Sequence, residues 1–261
     1  MRVSVVVDDA LPRPFAREHG LSLWVETSRG ALLLDVGQSP AVFAANAGRL
    51  GLPLAGAAAV VVSHGHYDHS GGLRALVDAG VRCPVFVGPD AGRRRFSVQV
   101  GPDGVPGRMR KQIGMPAPEL LDVLDVRRVE GVVEVSESLT LFTLPQAAPP
   151  NPRLLAADGV SPDAFSDEVF ALVRDGGEEW LFGGCTHHGV PMLLDFVFGP
   201  LGRRRVDRFV GGLHLVGRPV GEVEAVAAAV AGRDVGAWSL LHCSGDVARA
   251  VWAERFRVVP L

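Results

Sequence analysis

The 261-residue chain carries a single lysine, Lys111, among its 26 basic residues. Arginine supplies the rest. With alanine, glycine and valine abundant, this reads as compositional bias, and the arginines by themselves say little about function. There is also no excess of positive charge: the formal net charge is −3. That excludes the global basic field that draws a protein to nucleic acid or to an anionic membrane. Cysteine is scarce as well. Cys83, Cys185 and Cys243 are odd in number and far apart, so no disulfide framework is expected, and a reducing cytoplasm is the expected compartment. No apolar run approaches the ~20 residues of a membrane span. The opening MRVSVVV is too short for a signal-peptide core before it meets Asp8 and Asp9, and reads as a first strand.

What is present is apolar and alternating. Hydrophobic residues make up 48% of the chain, enough to bury a sizeable core. Short apolar runs alternate with amphipathic stretches, the pattern of an α/β protein. Strands are predicted at Arg2–Val7, Leu21–Glu26, Ala31–Asp35 and Ala57–Ser63, the second and third joined as a hairpin. Ser39-Pro40 opens a helix that Gly51 ends, and a second runs from Ser70 to Ala79. Later strands are expected at Val132–Val135, Leu139–Leu144, Val169–Arg174, Trp180–Gly183, Val206–Gly211 and Ala237–His242. Helices are expected at Val220–Ala231 and Asp246–Phe256. Residues 88–114 and 144–162 are rich in glycine, proline or arginine and lack periodicity. They are read as irregular insertions, functional loops over a site.

The informative segment is Val60-Val61-Val62-Ser63-His64-Gly65-His66-Tyr67-Asp68-His69-Ser70-Gly71-Gly72. An apolar strand feeds a tight polar loop that becomes a helix, and four metal-ligand side chains fall within six residues. Imidazole suits zinc and other borderline dications, and the carboxylate adds charge. A loop at a strand end can aim neighbouring ligands at two ions, which a helix cannot do at this spacing.

This His-x-His-x-Asp-His loop resembles the signature of the metallo-β-lactamase superfamily. Leu32-Leu33-Leu34-Asp35-Val36-Gly37 resembles that family's earlier motif. Gly183-Gly184-Cys185-Thr186-His187, Gly211-Gly212-Leu213-His214 and His242-Cys243-Ser244-Gly245 resemble one branch more narrowly, that of the methanopterin-pathway dihydropterin-ribofuranosylaminobenzene-phosphate synthases and their relatives. The resemblance implies a single domain over 1–261 with the αββα sandwich fold. It also implies a metal set of His64, His66, Asp68, His69 and His242, with Asp35 orienting a ligand by hydrogen bond.

One departure stands out. Most hydrolases of the superfamily place a further histidine between the loop and the later aspartate, yet positions 70 to 186 contain none. His187 is the expected replacement, with His214 the alternative; His214 otherwise reads as a catalytic or substrate-contacting residue. Cys185 stands where a bridging aspartate is usual, and is either a thiolate ligand or a small buried filler. His188 reads as a helix-start neighbour and His19 as a rim residue. Arg93, Arg94, Arg95, Arg108, Arg110 and Lys111 read as a solvated face or, less favoured, a phosphate grip.

The implied chemistry is hydrolysis of a small-molecule ester or phosphoester, pterin-related compounds included, by hydroxide on two divalent ions. Those ions are expected to be Zn²⁺, with Mn²⁺ or Fe²⁺ as alternatives, and Asp68 is the catalytic carboxylate. The competing readings are the branch's pterin-phosphate condensation, a nuclease or phosphodiesterase of the same fold, and a non-hydrolytic redox or sensing protein. The acidic balance argues against nucleic acid as partner.

Overall fold

Near-continuous apolar runs in the central strands, such as AAAVVV at Ala57–Val62 and VFALV at 169–173, let each sheet bury both of its faces. The computed structural model describes residues 1–100 and 106–261. In chain order the first half contains β1 (Arg2–Val7), β2 (Ser22–Thr27), β3 (Gly30–Leu34), α1 (Pro40–Arg49), β4 (Ala57–Val62), α2 (Tyr67–Ser70), α3 (Leu73–Asp78) and β5 (Val85–Val87). The middle contains β6 (Phe96–Val100), β7 (Pro106–Gln112), β8 (Val126–Arg128), β9 (Val132–Ser136), β10 (Leu139–Thr143) and β11 (Leu154–Leu155). The second half contains β12 (Val169–Asp175), β13 (Glu178–Phe182), α4 (Val190–Phe198), β14 (Arg208–Gly211), α5 (Val220–Val230), β15 (Trp238–Leu240) and α6 (Gly245–Arg255).

The strands form two six-stranded sheets, ordered β1-β2-β3-β4-β5-β8 and β15-β14-β13-β12-β10-β9. Leu23, Val25, Leu32, Leu34 and Val61 of the first sheet meet Leu141, Ala171, Val173, Phe182 and Val210 of the second in the central core. The alternate residues face outward. Trp24, Leu33, Val60 and Val62 pack under Phe43 and Ala47 of α1 and Leu73 and Leu76 of α3. Phe142, Phe170, Leu172, Leu181 and Phe209 pack under α4, α5 and α6. Helix, sheet, sheet, helix: this is the αββα sandwich. No helix among the described residues is long and apolar enough to cross a membrane.

Several elements differ from expectation. The stretch 88–114 is not simply irregular: β6 and β7 pair antiparallel, and β11, from the other proline-rich stretch, pairs with β6 to give a separate three-stranded sheet. Its strands are short and separated by proline- and glycine-rich sequence, which hid them among loop residues. The helix expected at Ser70–Ala79 is divided into α2 and α3, and α2 already contains Asp68 and His69. β5, β8 and α4 were not anticipated; the two strands have only three residues each, too few to show a period.

The topology makes the site. β3 and β4 run parallel, as do β13, β14 and β15, so their carboxyl ends gather at one edge of the sandwich. The sheets join there through the Val169 N–H, which donates to the Ser63 carbonyl at 2.7 Å. A crevice outside the carboxyl ends of parallel strands is the usual ligand position in such sheets.

Candidate metal centre

Asp35, the first residue past β3, adopts φ 54° and is fully buried. Its Oδ1 accepts from the Ser63 N–H at 2.6 Å, and its Oδ2 accepts from Ser63 Oγ at 2.7 Å. His69 Nδ1 lies 2.6 Å from the same Oδ2. A carboxylate at that distance holds the proton on Nδ1 and leaves Nε2 as a lone-pair donor. His69 Nε2 lies 3.1 Å from Cys185 Sγ and 3.6 Å from Asp68 Oδ2.

His64 and His66 approach a residue from the opposite sheet. His64 Nε2 is 3.3 Å from His187 Nε2, and the His66 ring centroid is 5.1 Å from that of His187. The His187 ring stacks on Phe165 with centroids 3.7 Å apart and planes 13° from parallel. Glu168 fixes the backbone beneath it, accepting from the N–H groups of His187 at 2.7 Å and His188 at 3.1 Å. The same carboxylate lies 2.6 Å from His188 Nδ1, so His188 is a clamped structural residue.

Asp68 gathers a second set. Its Oδ2 lies 3.3 Å from both His242 Nε2 and His19 Nε2. The turn after β15 is held by Asp8, which accepts the His242 N–H at 2.8 Å, and by Asp9, whose Oδ1 lies 3.0 Å from His242 Nδ1. Asp9 Oδ2 lies 3.2 Å from His19 Nδ1. Phe165, Thr186, His214 and His242, like Asp35, all carry positive φ. Left-handed backbone at non-glycine residues is costly and gathers where side chains must be aimed.

The charge states divide the histidines. Burial pushes His66 down to about 3, and burial with neighbouring imidazoles pushes His64 and His187 down as well. These three rings therefore present neutral lone pairs. Burial also works against charge on His69 and His242. For His69 the carboxylates of Asp35 and Asp68 outweigh it; for His242, Cys243, Asp68 and Asp9 do so, and both rings are raised. Asp68 is held far below the usual carboxylate range, because His69, His242 and His66 outweigh the cost of its burial.

These residues fit a dication. The buried atoms His66 Nε2 and His214 Nδ1 have no hydrogen-bond partner among the described residues. The ligating atoms of His64, Cys185 and His187 lie within 4.8 Å of one another, as do those of His69, Cys185 and His242. Imidazole, thiolate and carboxylate donors so gathered suit zinc or a similar ion. The structure thus draws together His64, His66, Asp68, His69, Cys185, His187 and His242, with Asp35 behind His69. His214 sits beside them, its ring centroid 4.2 Å from that of His187.

The sequence reading missed the supports: Asp8, Asp9, Phe165, Asp167 and Glu168. Paired carboxylates next to an apolar strand, at Asp8-Asp9 and Asp167-Glu168, were the available signal. His19, expected at the rim, reaches Asp68. Arg95, grouped with a solvated face, is buried instead, its Nε donating to Asp163 Oδ2 at 2.6 Å and its Nη2 lying 2.6 Å from Asp167 Oδ1. Asp167 Oδ2 in turn accepts the Gly65 N–H at 2.7 Å. Gly65 lets the loop touch this support, since a Cβ there would stand 1.8 Å from the Ala91 carbonyl oxygen. Gly65→Ala is expected to cost about 1–3 kcal/mol of stability, read by urea denaturation, and to lower bound metal per chain.

Two cavities open beside His187 and His214. One, of about 280 Å³, is walled by Pro149, Phe165, Leu213 and Leu215. The other, of about 570 Å³, shares His214, Pro150 and Arg218 with it and adds Arg153.

A family model described as the metallo-beta-lactamase superfamily matches residues 16–191. With this fold and this loop, the chain belongs to the metallo-β-lactamase superfamily. It is similar to the crystal structure of Tm1679, a metal-dependent hydrolase of the beta-lactamase superfamily, with 26% identity and a TM-score of 0.82, covering 99% of this chain and 95% of that one. It is 22% identical to the 7,8-dihydropterin-6-methyl-4-(beta-D-ribofuranosyl)-aminobenzene-5'-phosphate synthase of Methanocaldococcus jannaschii, over 94% of this chain and 87% of the relative. An uncharacterized protein of the same organism is also 22% identical, over 93% of this chain and 90% of its own length.

Proposed function

We propose that the chain is a metal-dependent hydrolase of small-molecule esters or phosphoesters, pterin-related compounds included. The observation that carries this reading is the 3.3 Å approach of His64 Nε2 to His187 Nε2, two neutral imidazoles facing each other across the sheet edge. Two such atoms repel unless a proton or a cation lies between them. His64, His66 and His187 would hold one ion; Asp68, His69 and His242 would hold another, with Cys185 between the sets. Zn²⁺ is the ion that best suits these donors, with Mn²⁺ or Fe²⁺ as alternatives. A dication bound there supplies Lewis acidity and brings the pKa of water down to about 7.

The protein's own groups do the rest. Asp35 and Asp9 hold the His69 and His242 rings in the orientation that presents Nε2. Asp68 accepts and orients a proton of the attacking water. His214, on the wall of both cavities, offers a hydrogen bond to the leaving oxygen. Proline, phenylalanine and leucine line the smaller cavity together with Arg218 and Glu222, a mixed apolar and charged lining that suits a compact polar organic substrate. The three free thiols fit a reducing cytoplasm.

A condensation that releases pyrophosphate is the second reading, favoured by the methanogen synthase matched over most of its length. It needs the same metal-holding residues and differs in product. Protein purified without added metal is expected to carry at least two equivalents of divalent ion by mass spectrometry. His66→Ala is expected to lose at least one of them, together with turnover of ester and phosphoester probes. Full metal content in that variant, or a wild-type chain that takes up no ion on loading, would sink the proposal.

A further inference from the structure

Cys243 has no role in the chemistry above, yet it is buried beside the centre. Cys185 Sγ, Cys243 Sγ and a ring nitrogen of His214 lie within 4.8 Å of one another. Both thiols are free and almost fully enclosed. Cys243 Sγ faces the Cys185 carbonyl oxygen at 3.8 Å. His214 Nδ1 is buried and has no partner among the described residues.

Three chain segments, following β13, β14 and β15, are brought into contact to make this group. The Gly212 N–H donates to the Gly184 carbonyl at 2.8 Å. A Cβ at Gly212 would stand 2.5 Å from Cys243 Sγ and 2.8 Å from the Gly184 oxygen, so only glycine permits the approach. His214 and the neighbour of Cys243, His242, are held at φ 51° and 44°. The backbone is strained at the two positions that set this cluster.

We propose that Cys185, His214 and Cys243 form a further cation position behind the paired histidine sets, sharing Cys185 with them and taking a thiophilic ion. Ligands at about 2.1–2.3 Å in a tetrahedral shell stand about 3.4–3.8 Å apart, so donors already within 4.8 Å need only a small contraction. Two sulfurs and an imidazole make a soft donor set that selects zinc, cadmium or cuprous ions over magnesium, calcium or manganese. Coordination through Nδ1 would leave the ring proton of His214 on Nε2 and so fix its tautomer. The inference rests on the proposed metal centre only through the shared Cys185.

The test is titration of the reduced, full-length chain with Cd²⁺. It is read as bound cadmium per chain and as thiolate-to-cadmium charge-transfer absorbance. Wild type is expected to bind one equivalent more than Cys243→Ala or His214→Ala, and Cys243→Ala should lose the part of the charge-transfer intensity that its thiolate supplies. Cys243→Ser keeps the side-chain size and, with circular dichroism, separates loss of the ion from loss of the fold. Unchanged cadmium content and absorbance in a folded Cys243 variant would overturn the proposal. So would a single free thiol in the unfolded wild-type chain isolated without reductant, because that reports a Cys185–Cys243 disulfide. A His66→Ala variant with full metal content strikes the hydrolase reading and leaves this result standing.

Discussion

Asp68→Asn is expected to lower kcat by about 10²–10⁴-fold, the usual loss when a positioned general base is removed. The carboxylate is buried, and its Oδ2 lies 3.3 Å from His19 Nε2 and from His242 Nε2 and 3.6 Å from His69 Nε2. An amide of the same shape keeps the packing but cannot take a proton, and it withdraws the negative charge that raises the two flanking rings. Affinity for the ion held with His69 and His242 should fall too, so kcat must be measured at saturating metal. The change should fall on kcat more than on KM, because Asp68 lines neither of the two cavities beside His214. Retention of more than about a tenth of wild-type kcat at saturating metal would remove Asp68 from its catalytic role.

Arg95→Met is expected to destabilise the fold by about 3–5 kcal/mol, the cost of leaving buried charge without its partner. Arg95 lies between Asp163 and Asp167, 2.6 Å from each. Burial pushes Asp167 up to about 6 even with the guanidinium beside it; without the guanidinium it rises further. A carboxyl whose pKa is higher in the folded than in the unfolded state binds its proton more tightly when folded. Lowering the pH through that window therefore favours the native state. The deficit of Arg95→Met should be largest at pH 8 and shrink toward pH 5. Urea denaturation across that range checks it, with Arg93→Met as control. Arg93 is an exposed partner of Asp90, worth no more than about 1 kcal/mol. Because Asp167 also holds the Gly65 N–H, the same variant should bind metal more weakly.

Much of the candidate site was legible because four of its residues, His64, His66, Asp68 and His69, are close in sequence and their chemistry depends on residue type. The loop from His64 to His69, Asp35 at a strand end, and His187, His214 and His242 just past apolar strands all stand at positions where side chains leave a sheet. Arg95 shows the opposite case. In composition it is one arginine of three in a row, and only packing separates it from Arg93 and Arg94. His19 shows it again, since nothing in its neighbourhood announces that the chain returns it to Asp68.

The sequence by itself determined the central strands, because Ala57–Val62 and most of Val169–Asp175 are unbroken apolar runs that only a sheet covered on both faces buries. It also determined which loop carries imidazole and carboxylate. Only the tertiary structure decided that His187 faces His64, that Glu168 and Asp167 brace the two halves, and that Phe96 and Ser97 pair with Leu154–Leu155. These are contacts between segments distant in the chain, formed without a local period or propensity to record them. The opening scarcity of cysteine changes meaning for the same reason: two of the three cysteines, remote in sequence, share one cluster with His214.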